Sequence, residues 1–343
     1  MNPDQTKEKQ ALELIDQGQL QEAEQIYREL VAAGSKNHIV YGNLAALCGI
    51  RGKTTETKKL LKIALEINPS YTDAHNNLGN AYKKLGNLTA AIKSYKKVLK
   101  LNPNQLGTYN NLGNSLKELG DLQAAIKSYK KAIKLNPNYT DAHYNLANAY
   151  KSSGNLQAAI KFYKKAIKLN HTYTYAHYNL GNSFKELGDL NSSVQAYQQA
   201  IKLKPNYPEA YYNLGTVLQE QGDLGSAIDS FQKAIQINPN YPEAYNNLGT
   251  ALQEQGDLGS AINSFQKAIQ INPNFPEVYN NLGITYAEEG DINAAIMSYQ
   301  KALNINPNYQ RAHNNLGVAL KEQGDLNSAI NSFQKALQIN PNY

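Results

Sequence analysis

The chain has 343 residues, with 34 lysines and arginines against 28 acidic side chains, one cysteine and no tryptophan. A lone Cys48 rules out an internal disulfide. No apolar run is long enough to span a bilayer, and Met1 to Gln10 lacks the apolar centre of a signal peptide, so a cytoplasmic location is expected.

The net charge of +6 is unevenly spread: residues 1–71 are neutral, residues 72–207 carry +13 and residues 208–343 carry −7. Such a distribution gives an elongated molecule a dipole.

A proline recurs at 69, 103, 137, 205, 239, 273, 307 and 341, always 34 or 68 residues apart. The whole chain keeps this period without insertion, as ten repeats: 4–37, 38–71, 72–105, 106–139, 140–173, 174–207, 208–241, 242–275, 276–309 and 310–343. A period of this length predicts stacked units with no single globular core and no deep enzyme pocket.

The first two repeats, within residues 1–71, are divergent. Thr57 and Leu61 stand where later repeats carry a small and an aromatic residue. They are predicted to form an N-terminal cap, and residues 72–343 a regular array of eight repeats. Within 242–275, Tyr245, Leu248, Gly249 and Leu252 form one helical stripe, opened by Pro242 and stopped by Gly256. Asp257 is the expected cap of a second helix, whose stripe is Leu258, Ala261, Ile262, Phe265, Ala268 and Ile269. Asn272-Pro273 ends it, because the residue before proline is pushed out of the helical region. Small residues recur beside aromatic ones, as in Gly79, Ala91 and Tyr95, which predicts close helix packing filled by the ring.

These residues carry a resemblance. The pattern "YNNLGTAL", the "GD" that follows, then Ala261, Phe265, Ala268 and Pro273, resembles the tetratricopeptide repeat (TPR) consensus. His75, Tyr109, His143, His177, Tyr211, Tyr245, Tyr279 and His313 replace the usual tryptophan. The resemblance implies an all-α fold, an α-α superhelix (TPR solenoid) of about ten 34-residue helix-turn-helix repeats. It also implies that the polar side of each first helix lines a concave groove for extended peptides.

On that side the sixth place is asparagine in nine consecutive repeats: Asn43, Asn77, Asn111, Asn145, Asn179, Asn213, Asn247, Asn281 and Asn315. The ninth place adds Asn80, Asn114, Asn148 and Asn182, then changes to Thr216, Thr250, Ile284 and Val318. The fifth offers Tyr144, Tyr178 and Tyr212, and the twelfth Lys83, Lys117, Lys151 and Lys185. A carboxamide donates and accepts, so such a ladder suits a peptide backbone whatever its side chains. It is similar to the ladder in the TPR arm of O-linked N-acetylglucosamine transferases. In the TPR pattern the same asparagines can also serve hydrogen bonding between repeats. The fifth place never holds the lysine of the TPR carboxylate clamp, so that mode of binding chaperone C-termini is not expected.

The remaining lysines, such as Lys93, Lys96, Lys97 and Lys100, fall on the polar face of the second helices and read as a solvated surface. Only three arginines are present, which disfavours nucleic acid. No catalytic constellation, cofactor loop or metal-ligand cluster is expected, and the recurrent histidines read as core. The expected function is a non-catalytic scaffold that binds an extended peptide or partner protein in the groove. The alternative is the substrate-binding arm of a larger, glycosyltransferase-like enzyme. The apolar Ile330, Phe333 and Leu337 of the last repeat predict self-association or a covering segment there.

Overall fold

A computed structural model describes residues 3–341. Positions 1, 2, 342 and 343, at the ends of the predicted 1–71 and 72–343 segments, lie outside the described residues. These residues form helices throughout, with no strand, as two compact units, 1–171 and 172–343.

The first unit holds α1 (Pro3–Asp16), α2 (Leu20–Ala32), α3 (His38–Ile50), α4 (Thr54–Ile67), α5 (Thr72–Lys84), α6 (Leu88–Leu101), α7 (Leu106–Glu118), α8 (Leu122–Leu135), α9 (Thr140–Ser152) and α10 (Leu156–Leu169). The second holds α11 (Thr174–Leu187), α12 (Leu190–Leu203), α13 (Pro208–Glu220), α14 (Leu224–Ile237), α15 (Pro242–Gln255), α16 (Leu258–Ile271), α17 (Pro276–Glu289), α18 (Ile292–Ile305), α19 (Gln310–Gln323) and α20 (Leu326–Ile339). Odd-numbered helices are the first helices of the repeats and even-numbered ones the second.

The predicted punctuation is present. Gly256 is left-handed at φ 91°, where a side chain would be strained, and it closes α15. Asp257 then accepts the Ser260 amide at 3.0 Å and starts α16. Asn272 leaves the helix in an extended conformation before Pro273, and its side chain accepts the Asn274 amide at 3.1 Å to shape the turn.

Packing follows the small-beside-aromatic pattern. A Cβ added to Gly249 would lie 2.7 Å from the Phe265 ring, and one added to Gly79 would lie 2.5 Å from the Tyr95 ring. The helices of a hairpin therefore approach to ring thickness, and Tyr95, Tyr129, Tyr163, Tyr197, Phe231 and Phe265 are fully buried. The histidines do more than pack. His75, His143 and His313 place Nε2 2.9 Å from the carbonyls of Pro69, Pro137 and Pro307, tying each first helix to the turn that precedes it.

Repeats 1 and 2 are joined by a charge network that the apolar pattern does not announce. The buried Glu24 carboxylate meets Arg28 at 2.7 Å, Arg51 at 3.1 Å and Lys53 at 3.4 Å, and Arg28 also reaches Glu56 at 2.8 Å. Burial raises the Glu24 pKa, but hydrogen bonds from Arg28 and Lys53 and the charge of Arg51 outweigh it and hold the acid below its usual range.

Within each unit, successive first helices touch one another: α3 with α5, α5 with α7 and α7 with α9, then α11 with α13 and so on to α17 with α19. Successive second helices do not approach to that degree. The first helices therefore line the inner side of the stack. In the last repeat Ile330 is 55% exposed, whereas its equivalents Ile228, Ile262 and Ile296 are 8–9% exposed beneath the following first helix.

Candidate binding face

All eighteen residues assigned from sequence to the binding face are half-buried. Such places can reach a ligand while their neighbours hold them. What they hold is regular. The sixth-place asparagine donates Nδ2–H to the fifth-place residue of the preceding repeat. In the first unit Asn145 donates to Asn110 at 2.9 Å. In the second unit Asn213 donates to the Tyr178 hydroxyl at 2.9 Å, and Asn247 to Tyr212 at 3.1 Å. Asn281 donates to Asn246 and Asn315 to Asn280, each at 3.0 Å. Asn43 differs, donating to the Tyr27 hydroxyl at 2.9 Å, and Asn111 donates to Asn80 at 3.4 Å. Asn77 makes no side-chain hydrogen bond among the described residues.

The ninth-place asparagines have another task. Asn80, Asn114, Asn148 and Asn182 accept the hydroxyl of the buried tyrosine fifteen residues on: Tyr95 and Tyr129 at 2.7 Å, Tyr163 at 2.5 Å and Tyr197 at 2.6 Å. A buried hydroxyl costs about 1–3 kcal/mol if left without a partner. Where the ring is Phe231, Phe265 or Phe333, the ninth place is Thr216, Thr250 or Val318. This pairing was legible in the sequence as an Asn with Tyr at i+15, and it lies within a hairpin, not between repeats as the structural reading of these asparagines expected. The Oδ1 atoms of Asn80, Asn114, Asn148 and Asn182 thus serve the fold first. The amide groups of Asn80 and Asn114 donate to nothing among the described residues.

The fifth-place tyrosines stand on a second layer of rings. Tyr144 lies 5.9 Å from Tyr163, Tyr178 lies 4.9 Å from Tyr207, and Tyr212 lies 5.0 Å from Tyr241. Burial pushes the Tyr178 and Tyr212 phenols up, so both remain neutral donors and acceptors. The basic strip is weaker than the sequence suggests. Lys83 is paired with Glu118 at 2.8 Å and Lys185 with Glu220 at 3.2 Å. Lys185 also donates to Thr216 at 2.9 Å. Lys117 and Lys151 are half-buried on the same strip. Lys93, Lys96, Lys97 and Lys100 lie exposed on α6, as expected of a solvated face.

What remains open on the inner face of each unit is a set of oxygen acceptors. The Oδ1 atoms of Asn111, Asn145, Asn213, Asn281 and Asn315 accept no hydrogen bond from the described residues. In each, the amide group is tethered to the preceding repeat, so the oxygen is held in a fixed direction.

Comparisons place this arrangement in a family. Tetratricopeptide repeat profiles match residues 50–86 and 113–154, 72–105 and 94–127. The chain is a tetratricopeptide repeat protein. The profile of the cilia and flagella-associated protein 70 C-terminal domain matches residues 139–339 of this TPR chain.

Among solved structures, the C-terminal part of a TPR repeat-containing protein from Cytophaga hutchinsonii is 20% identical with a TM-score of 0.60, over 69% of this chain and 98% of that one, and shares the fold. YrrB, described as a TPR protein with an unusual peptide-binding site, is 27% identical with a TM-score of 0.49, over 55% of this chain and 96% of its own. MamA is 30% identical with a TM-score of 0.45, over 48% of this chain and 91% of its own. No curated protein matches the chain. No described helix is long and apolar enough to cross a membrane.

Proposed function

We propose that this TPR chain is a non-catalytic, cytoplasmic interaction scaffold that binds an extended peptide or an extended segment of a partner protein along the inner face of its first helices. The set of tethered asparagine oxygens carries this reading. An extended peptide presents backbone N–H groups, and acceptors fixed in advance bind it without paying to order their own side chains. Repeats 208–241 and 242–275 differ at only four places, so neighbouring stretches of the face present nearly the same chemistry. Such a surface suits a backbone-directed grip better than one compact small molecule.

The experiment compares binding and stability together. Asn145, Asn213 and Asn281 are each replaced by Asp, whose second oxygen keeps the acceptor, and by Ala, which removes it. Fluorescence anisotropy is read against a panel of unrelated twelve-residue peptides, with a melting curve for each variant. Asp should retain binding in part, and Ala should weaken all peptides alike, by about 0.5–1.5 kcal/mol per site. Loss for one peptide sequence only, or binding unchanged by Ala in a folded variant, would overturn the backbone reading.

A further inference from the structure

The inner face of the second unit changes character once. At the ninth place Asn182, Thr216 and Thr250 give way to Ile284 and Val318. Between α17 and α19, at this change, lies a cavity of about 290 Å³, lined by Ile284, Ala287 and Val318, by Glu288 and Glu322, and by Tyr299 and Asn315. That volume lies just below the usual range for a whole small ligand, roughly 300–1,000 Å³. It suits a single side chain.

Two independent observations mark the cavity as built for a ligand. First, Tyr299 is 3% exposed, and its hydroxyl bonds to nothing among the described residues. In four other repeats the equivalent tyrosine is satisfied by the ninth-place asparagine, for example Tyr197 by Asn182 at 2.6 Å. Ile284 cannot do this, so the hydroxyl at the end of a buried ring is left facing the cavity without a protein partner. Second, Glu288 and Glu322 are exposed and have no cationic partner among the described residues. Elsewhere on the same edge Glu220 is paired with Lys185 at 3.2 Å, and Glu254 accepts Gln219 at 3.0 Å. Burial, and then the charge of Glu288, push the Tyr299 phenol up and keep it neutral.

We infer that this cavity binds one lysine side chain of the peptide held on the inner face, an assignment that rests on the proposed function for the rest of that peptide. The methylene stem lies along Ile284, Ala287 and Val318. The ammonium group has three donors, and the cavity offers acceptors for all of them: the two carboxylates, the Tyr299 hydroxyl and Asn315 Oδ1. A flat guanidinium seeks a bidentate carboxylate instead, and the separated acceptors fit it less well.

The test uses the full chain with isotope-labelled isoleucine and valine methyl groups. The probes are Nα-acetyl-lysine methylamide and its uncharged counterpart, Nα-acetyl-norleucine methylamide, each titrated while the Ile284 and Val318 methyl shifts are followed. The lysine probe should bind at least about tenfold tighter, equivalent to about 1.4 kcal/mol. E288Q/E322Q, which changes only exposed side chains, should abolish that difference. I284N should weaken it, by placing a polar side chain where the methylene stem lies. Equal affinity of the two probes, or a preference that survives E288Q/E322Q, would overturn the inference.

A Gly/Ser dodecapeptide with one central lysine separates this inference from the wider reading. If it binds no tighter than the free lysine probe, the cavity stands and the extended groove falls. If it binds tightly and lysine is no better than norleucine, the groove stands and the cavity falls.

Discussion

The pairing of a ninth-place asparagine with a buried tyrosine yields a sharp energetic prediction at Asn182 and Tyr197. Tyr197 is fully buried, and its hydroxyl reaches only 2.6 Å to Asn182 Oδ1, which also accepts Asn213 at 3.2 Å. N182T leaves the hydroxyl inside the hairpin without an acceptor and should cost about 1–3 kcal/mol. Y197F removes the donor but leaves Asn182 bonded to Asn213, so it should cost less, about 0.5–1.5 kcal/mol. The double variant rebuilds the Thr216 and Phe231 pair of the next repeat, and its cost should fall well short of the sum. The expected coupling is on the order of 1–2 kcal/mol. Long repeat arrays need not unfold as one unit, so the assay is native-state hydrogen exchange at the α12 amides, with full denaturation as a check. Additivity within about 0.5 kcal/mol would refute the argument. The asparagine would then be free for ligand alone.

Other predictions follow from the packing and charges. G249A should cost about 1 kcal/mol, the lower end for overpacking, because Ala147 occupies the same place beside Tyr163. G249V should cost about 3 kcal/mol, and equal costs in chemical denaturation would show that the Phe265 contact does not limit the helix approach. His143 is held below its ordinary value of 6.5, first by burial, so the fold favours its neutral ring. That stability is complete above pH 6.5 and is lost as the pH falls through the folded value. H143Y should flatten the stability profile below pH 6.5, and an unchanged slope would count against this cause. E24Q should loosen repeat 1 against repeat 2 by about 1–3 kcal/mol, read as faster exchange in α2. Wild-type exchange rates there would show the network to be idle. Sedimentation velocity should detect concentration-dependent association that I330K/L337K abolishes, because both side chains are largely exposed on α20. A wild-type chain that stays monomeric would remove that expectation.

Much of this protein is local and was therefore readable in its sequence. Helix, turn and cap are decided within a few residues, so Pro242, Gly256, Asp257 and Asn272-Pro273 mark the boundaries of α15 and α16 without reference to the rest of the chain. The small residue opposite each of these aromatics was readable for the same reason, since two stripes of one hairpin must meet. The 34-residue period extended these local rules over the array.

The tertiary structure decided which half of each polar side chain is already in use. Asn145 and Asn110 are 35 residues apart, and only the stacking of one repeat on the next brings a donor against an acceptor. The same stacking gathers Glu24, Arg28, Arg51 and Lys53 around one buried carboxylate, although their spacing follows no apolar stripe. It also opens a cavity where Ile284 replaces an asparagine and leaves Tyr299 unpaired. Hydrogen bonding and desolvation depend on distances of a few tenths of an ångström between residues far apart in the chain. A periodic sequence fixes which residues share a face, and only the packed repeats settle which of their atoms remain free to bind.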